Sequence, residues 1–283
     1  MKIKISEHSG FCFGVKRAMD IVLSNAKDKD KKIATLGPLI HNPQVVEDLK
    51  EKGVEVTSEI DKFYDKIIMP SHGVPKEFFK KCENLGIEAI DATCPFVEAV
   101  HEKVVEYKKA GLKIVIVGDA GHSEVKGIMS SADNDCIVIS SIEDVDKYDF
   151  KKKKLGIVSQ TTNSPKYFGE VVGKIAQIAD EITVANTICY ATHKRQAAAH
   201  DLAPNVDVML VVGGKNSANT NRLFQICKEM NPHTYHIETD EEISGEMFEN
   251  CDTVGITAGA STPDYIIEDI CKKIDKISLS PKP

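Results

Sequence analysis

The chain has 283 residues, of which 42% are hydrophobic and 28% charged, and its net charge is −7. That apolar fraction excludes a disordered chain and supplies one large core or two to three small ones. The acidic balance and the lack of a basic patch argue against a nucleic-acid partner, since the lysine-rich stretches Lys27–Lys32 and Lys151–Lys154 read as solvated loops.

Residues 1–10 hold no long apolar run, so no secretory signal is expected, and the longest apolar runs, such as Val208–Val212, are too short to cross a bilayer. A cytoplasmic protein with no membrane partner is therefore expected. Its eight cysteines then point to metal binding or catalysis rather than disulfides. No two of them are spaced Cys-x-x-Cys, so any metal site gathers ligands from distant parts of the chain.

In chain order, one pattern recurs three times. After Cys12, the residues Val15, Ala18, Met19 and Val22 fall at helical spacing. The helix leads to a β-rich run, residues 33–37, that ends in Gly37, and His41 and Pro43 follow in the loop. A second strand, a capping signature at Ser58–Asp61, a third strand and the polar loop Ser71-His-Gly-Val-Pro75 complete the unit. After Cys94 the sequence repeats: Pro95 at a helix start, then Val97, Val100 and Val104, a strand ending in Gly118, and a loop with His122 and Glu124. A capping signature at Ser140–Glu143 and the loop 159–165 close this unit. After Cys189 come an Ala-rich helix, a strand ending in Gly213, a loop with Ser217 and Asn219, a capping signature at Thr239–Glu242 and the loop 257–263 with Ser261.

From each cysteine to its glycine the offsets are 25, 24 and 24 residues. Three α/β modules are expected, at 1–94, 95–189 and 190–283, with mainly parallel sheets arranged about a pseudo-threefold axis. Polar loops at strand carboxyl ends face a crevice in such folds, and a threefold arrangement brings Cys12, Cys94 and Cys189 to one point.

Each of these cysteines precedes a helix, where the dipole favours a thiolate by about 0.3–1 kcal/mol. Three thiolates with no obvious fourth leave one metal position open for chemistry, unlike a closed zinc site or a cluster that only relays electrons. Cys82, Cys136, Cys227, Cys251 and Cys271 do not repeat in register and read as small buried hydrophobes. Among the histidines, His41, His72 and His122 sit in the repeated loops and, with Ser217, Asn219 and Ser261, suit a phosphate or diphosphate; His101 and the other histidines read as structural hydrogen-bonders. Glu124 is the one carboxylate in these loops. Beside an anion it makes a better proton donor than ligand, with Thr161 placed to position or relay that proton.

At these residues the chain resembles the 4-hydroxy-3-methylbut-2-enyl diphosphate reductase family. The motifs are Gly10-Phe-Cys-Phe-Gly-Val15, Gly37-Pro-Leu-Ile-His-Asn42, Ser71-His-Gly-Val-Pro75, Asp91-Ala-Thr-Cys-Pro95, Gly121-His-Ser-Glu124, Ser159-Gln-Thr-Thr162, Thr187-Ile-Cys-Tyr-Ala-Thr192 and Lys215-Asn-Ser-Ala-Asn219. The resemblance implies one [4Fe–4S] cluster per chain on Cys12, Cys94 and Cys189, with an open iron for the substrate hydroxyl. It implies diphosphate binding by His41, His72, His122, Ser217, Asn219 and Ser261, with Thr161 also at the substrate, and protonation by Glu124 and Thr161. The implied reaction is reductive dehydroxylation to isopentenyl and dimethylallyl diphosphate, the terminal step of non-mevalonate isoprenoid synthesis, with electrons from a ferredoxin or flavodoxin. Two departures stand out: Ala218 where the family often has a second serine, and Ser123 where proline often precedes the glutamate. On the residues alone two rivals stay open, a phosphate sensor with a regulatory cluster or zinc, and a hydrolase using a metal-bound water.

Overall fold

The computed structural model describes residues 1–279. Its elements alternate along the chain: β1 (Lys2–Ile5), α1 (Phe13–Asn25), β2 (Ile33–Leu36), α2 (Pro43–Glu51), β3 (Val54–Thr57), β4 (Lys66–Met69), α3 (Lys76–Leu85), β5 (Glu88–Asp91) and α4 (Pro95–Lys109). There follow β6 (Lys113–Val117), α5 (Ser123–Ser131), β7 (Cys136–Ile139), β8 (Lys154–Ser159), α6 (Pro165–Ala176), β9 (Glu181–Val184) and α7 (Tyr190–Leu202), then β10 (Val208–Val212), α8 (Ala218–Met230), β11 (Thr234–Ile237), β12 (Thr253–Ala258) and α9 (Asp264–Leu279).

The strands form three four-stranded sheets, ordered β3-β2-β4-β5, β7-β6-β8-β9 and β11-β10-β12-β1, and every paired strand is parallel. The expected α/β class with parallel sheets is the observed one. In each sheet the first strand of the run is central, and the strand just before a cysteine is an edge: β5 before Cys94, β9 before Cys189 and β1 before Cys12. The third edge comes from the far end of the chain, so β1 pairs with β12 in register Lys2 to Thr253.

Parallel strands are covered on both faces and read as near-continuous apolar runs. Around β6 and β8, the side chains Val115, Val117, Leu155 and Ile157 pack on α6 through Phe168, Val171 and Ile175, while Ile114, Ile116 and Val158 face Val100 and Val104 of α4 and Val125 and Ile128 of α5. The β10 sheet has α9 on one face, through Ile266, Ile270 and Ile274, and Ala199, Leu223 and Cys227 on the other.

The capping signatures open turns rather than long helices. Ser141, one residue later than expected, caps the 3₁₀ turn Ile142–Lys147 in a capping box with Asp144, and Thr239 precedes the 3₁₀ turn Asp240–Glu242. By compactness the chain divides into two units. One holds Met1–Val15, His41–Val45 and the chain from Tyr190 on, with the β10 sheet; the other holds Lys16–Ile40 and Val46–Cys189, with the other two sheets.

Candidate active site

Each candidate cysteine stands immediately before a helix and is pinned through its backbone. Cys94 is the N-cap of α4, its amide donating to Ser71 O at 2.9 Å. The Cys189 amide donates to Thr161 O at 3.0 Å, and that of Cys12 to Ala260 O at 3.2 Å. All three acceptors lie in loops that follow the third strand of a module, the loops holding His72, Thr161 and Ser261. All three thiols are half-exposed and outside any disulfide. The other five cysteines differ: burial raises the thiol pKa at Cys82, Cys136, Cys251 and Cys271, and pushes Cys227 up to about 12. A thiol kept neutral is a poor metal ligand.

In the second unit, Glu124 lies in the first turn of α5, only 2% exposed. Its Oε1 accepts from Thr161 N at 2.6 Å, and its Oε2 from Thr161 Oγ1 at 2.8 Å. Burial raises its pKa to about 7 against the opposing pull of those two hydrogen bonds. The expected pairing of Glu124 with Thr161 is thus a direct contact. His122 is the N-cap of α5, its Nδ1 accepting from Glu124 N at 3.2 Å. That bond places the neutral ring's proton on Nε2, leaving Nε2 as a donor. The His72 ring lies 6.5 Å from that of His122, centroid to centroid. Gln160 braces the same loops, its Oε1 accepting from Asp119 N at 3.0 Å.

In the first unit, Ser217 is the N-cap of α8, its Oγ accepting from Thr220 N, and Asn219 lies in the first turn. Asn219 is 5% exposed, and both its amide nitrogen and its amide oxygen are buried with no partner. A buried amide left in this state is unfavourable by about 1–3 kcal/mol, and a hydrogen-bonding ligand would relieve that cost. Ser261 Oγ donates to His41 O at 3.2 Å. The loops after β10 and β12 pack against these residues so closely that a Cβ on Gly214 would stand 2.6 Å from His41 O and one on Gly259 2.2 Å from Thr220 Oγ1. Burial lowers the pKa of His41; a bound anion would act the other way. Asn42, which no sequence pattern singled out as a functional residue, caps α2 by accepting from Val45 N at 3.0 Å and so fixes the His41 loop.

The unit holding His41 thus gathers Ser217, Asn219 and Ser261, and the other unit gathers His72, His122, Glu124 and Thr161. His101, expected as a structural hydrogen-bonder, has its Nε2 buried without a partner, and its ring is wedged against Gly73 and Gly127. Of the two departures, Ser123 begins α5 with a buried, unpartnered Oγ, where a proline would have supplied a fixed φ, and Ala218 is the first residue of α8.

Comparison with known proteins matches residues 3–275 to the family described as LytB protein. The chain belongs to that family. It is 48% identical over 280 residues to the 4-hydroxy-3-methylbut-2-enyl diphosphate reductase of Aquifex aeolicus, covering 97% of this chain and 96% of the relative. The protein of the same name from Caldanaerobacter subterraneus subsp. tengcongensis is 47% identical, with 98% of both chains covered. A solved structure described as this reductase, the terminal enzyme of the non-mevalonate pathway, matches with TM-score 0.71 and 46% identity, covering 97% of this chain and 99% of its own. The Plasmodium falciparum E-1-hydroxy-2-methyl-but-2-enyl-4-diphosphate reductase matches with TM-score 0.91 and 27% identity, covering 99% and 89%. Membership of the LytB family agrees with the resemblance read from the motifs.

No three His, Cys, Asp or Glu side chains converge as ligands of one metal ion among the described residues. An iron–sulfur cluster is a different test, because each thiolate binds its own iron. Three half-exposed thiols outside any disulfide, each just before a helix and held by its own backbone, suit such a cluster as donors. No helix among the described residues is long and apolar enough to cross a membrane.

Proposed function

We propose that the chain is a 4-hydroxy-3-methylbut-2-enyl diphosphate reductase. The reaction takes up two electrons and two protons, breaks the allylic carbon–oxygen bond, and yields water with isopentenyl or dimethylallyl diphosphate. The single observation that carries this reading is the buried Glu124–Thr161 pair, an acid poised near neutrality beside a histidine donor, in a chain whose curated relatives are named for this reduction.

In this reading Cys12, Cys94 and Cys189 would hold one [4Fe–4S] cluster, and the chain divides into modules cut at 1–94, 95–189 and 190–283. When bound, that cluster would supply the electrons and act as a Lewis acid toward the substrate hydroxyl. His41, His72, His122, Ser217, Asn219 and Ser261 bind and orient the diphosphate, each charge-assisted hydrogen bond contributing about 1.5–3 kcal/mol. Glu124 holds the proton, because a nearby polyanion favours its neutral form further. Protonated at Oε2, it donates to Thr161 Oγ1, whose own hydrogen then passes to the substrate. A ferredoxin or flavodoxin delivers the electrons, and the enzyme works in the cytoplasm.

The test is anaerobic incubation of purified protein with the hydroxymethylbutenyl diphosphate and a low-potential reductant. The two isopentenyl-type products are expected, and only with reductant. Consumption of substrate without reductant would show a hydrolase instead, and no consumption under either condition would reject the reading.

A further inference from the structure

Two arginines outside the motifs hold the polypeptide on its approach to two of the three cysteines. Arg195, 2% exposed, lies in α7, the helix that starts directly after Cys189. Its Nη2 donates at 2.7 Å to the carbonyl of Gly10, two residues before Cys12. Arg17 lies in α1, the helix that starts directly after Cys12, and its Nη1 donates at 2.9 Å to the carbonyl of Thr93, the residue before Cys94. The helix after one cysteine thus grips the turn into the next, twice. The α4 helix, after Cys94, carries no arginine. The approach to Cys189 is held instead by Thr187, whose hydroxyl donates to Ser159 O at 2.6 Å and accepts from Ser159 N at 2.7 Å.

A neutral side chain could also hold a backbone carbonyl, and burying a cation is costly. What the arginines add is positive charge beside turns that present thiolates. Three thiolates concentrate negative charge, and a fixed cation nearby stabilises both the ligand set and its more negative reduced form. We infer that Arg17 and Arg195 are positioning residues for the cluster: each fixes one cysteine-bearing turn through a carbonyl and supplies positive charge next to it. This rests on the three-cysteine reading given above.

The experiment uses anaerobically purified holoenzyme and the variants Arg17→Gln, Arg17→Lys, Arg195→Gln and Arg195→Lys, with Cys94→Ser as reference. Three quantities are read: the rate of cluster loss to a chelator, the cluster's midpoint potential, and the melting temperature of the apoprotein. The glutamine variants are expected to lose iron about 10-fold faster than wild type and to show a more negative potential. The lysine variants, which keep the charge but not the fork, are expected to restore the potential and only part of the retention. Wild-type loss rates and potentials in the glutamine variants would overturn the inference. Faster loss that tracks a lower apoprotein melting temperature, with the potential unmoved, would also overturn it, showing a merely structural contact. If Arg195→Gln does not fold, the half-exposed Arg17 decides through its own pair of variants. A wild-type protein without iron and sulfide, or full iron in Cys94→Ser, would instead remove the three-cysteine reading, and this inference with it.

Discussion

Glu124 shows how one residue's surroundings decide its chemistry. Burial lifts its pKa from 4.5 to about 7, outweighing two hydrogen bonds that favour the carboxylate. Glu124→Gln keeps the shape and loses the proton, so turnover is expected to fall by about 10²–10⁴-fold with iron content unchanged. The pH dependence has a definite sign. Between pH 4.5 and about 7 the folded state holds a proton on Glu124 that the unfolded chain has released, so the wild type loses stability as pH rises through that window. The melting temperature of Glu124→Gln relative to wild type should therefore climb across it, and a flat difference would contradict the buried neutral acid. His101 acts in the opposite direction. Burial, aided by Lys76, lowers its pKa to about 4, so the unfolded chain takes up a proton the folded one refuses, and stability falls as pH drops from 6.5 toward 4. His101→Gln should flatten that acid limb in thermal melts. Asn219 carries two unpartnered buried amide atoms. Asn219→Ala should weaken binding of inorganic diphosphate, measured by calorimetry, by about 10–100-fold, with little loss of apoprotein stability.

Among the elements, the repeated unit is an edge strand, a cysteine and a helix. The edge strand ends beside the loop of its neighbour, which is why the amides of Cys12, Cys94 and Cys189 can all reach a carbonyl there. Such placement needs flat, close packing of helix on sheet, and Gly156 of β8 shows how close. A Cβ at that position would stand 2.5 Å from the Tyr107 ring of α4. Gly156→Ala is expected to destabilise by about 1–3 kcal/mol through overpacking, read as a lower midpoint in denaturant. The polar pair of Glu124 and Thr161 should keep its pH dependence in that variant.

For the whole molecule, the proposed function puts three cysteines far apart in sequence on one cluster. Serine at Cys12, Cys94 or Cys189 should each lower iron and sulfide content in anaerobically purified protein, whereas Cys227→Ala should not, since burial keeps that thiol neutral. Equal iron in all four variants would refute the ligand assignment. By completing the sheet of the last strands, β1 ties the segment before Cys12 to the chain that follows Cys189.

What the sequence determined by itself is whatever repeats at a fixed spacing or carries a local preference. Helical periodicity after each cysteine, strands ending in Gly37, Gly118 and Gly213, and polar loops before proline are local properties of the chain, and they located the elements and the site loops. The tertiary structure alone decided which distant groups meet. The pairing of β1 with β12, the burial that sets Glu124 near neutrality, the wedge of His101 between Gly73 and Gly127, and the grip of Arg17 and Arg195 on Thr93 and Gly10 are all long-range. The reason is physical: a residue's period and propensity are written within a few positions of it, whereas its desolvation and its hydrogen-bond partners depend on segments the chain brings together only on folding.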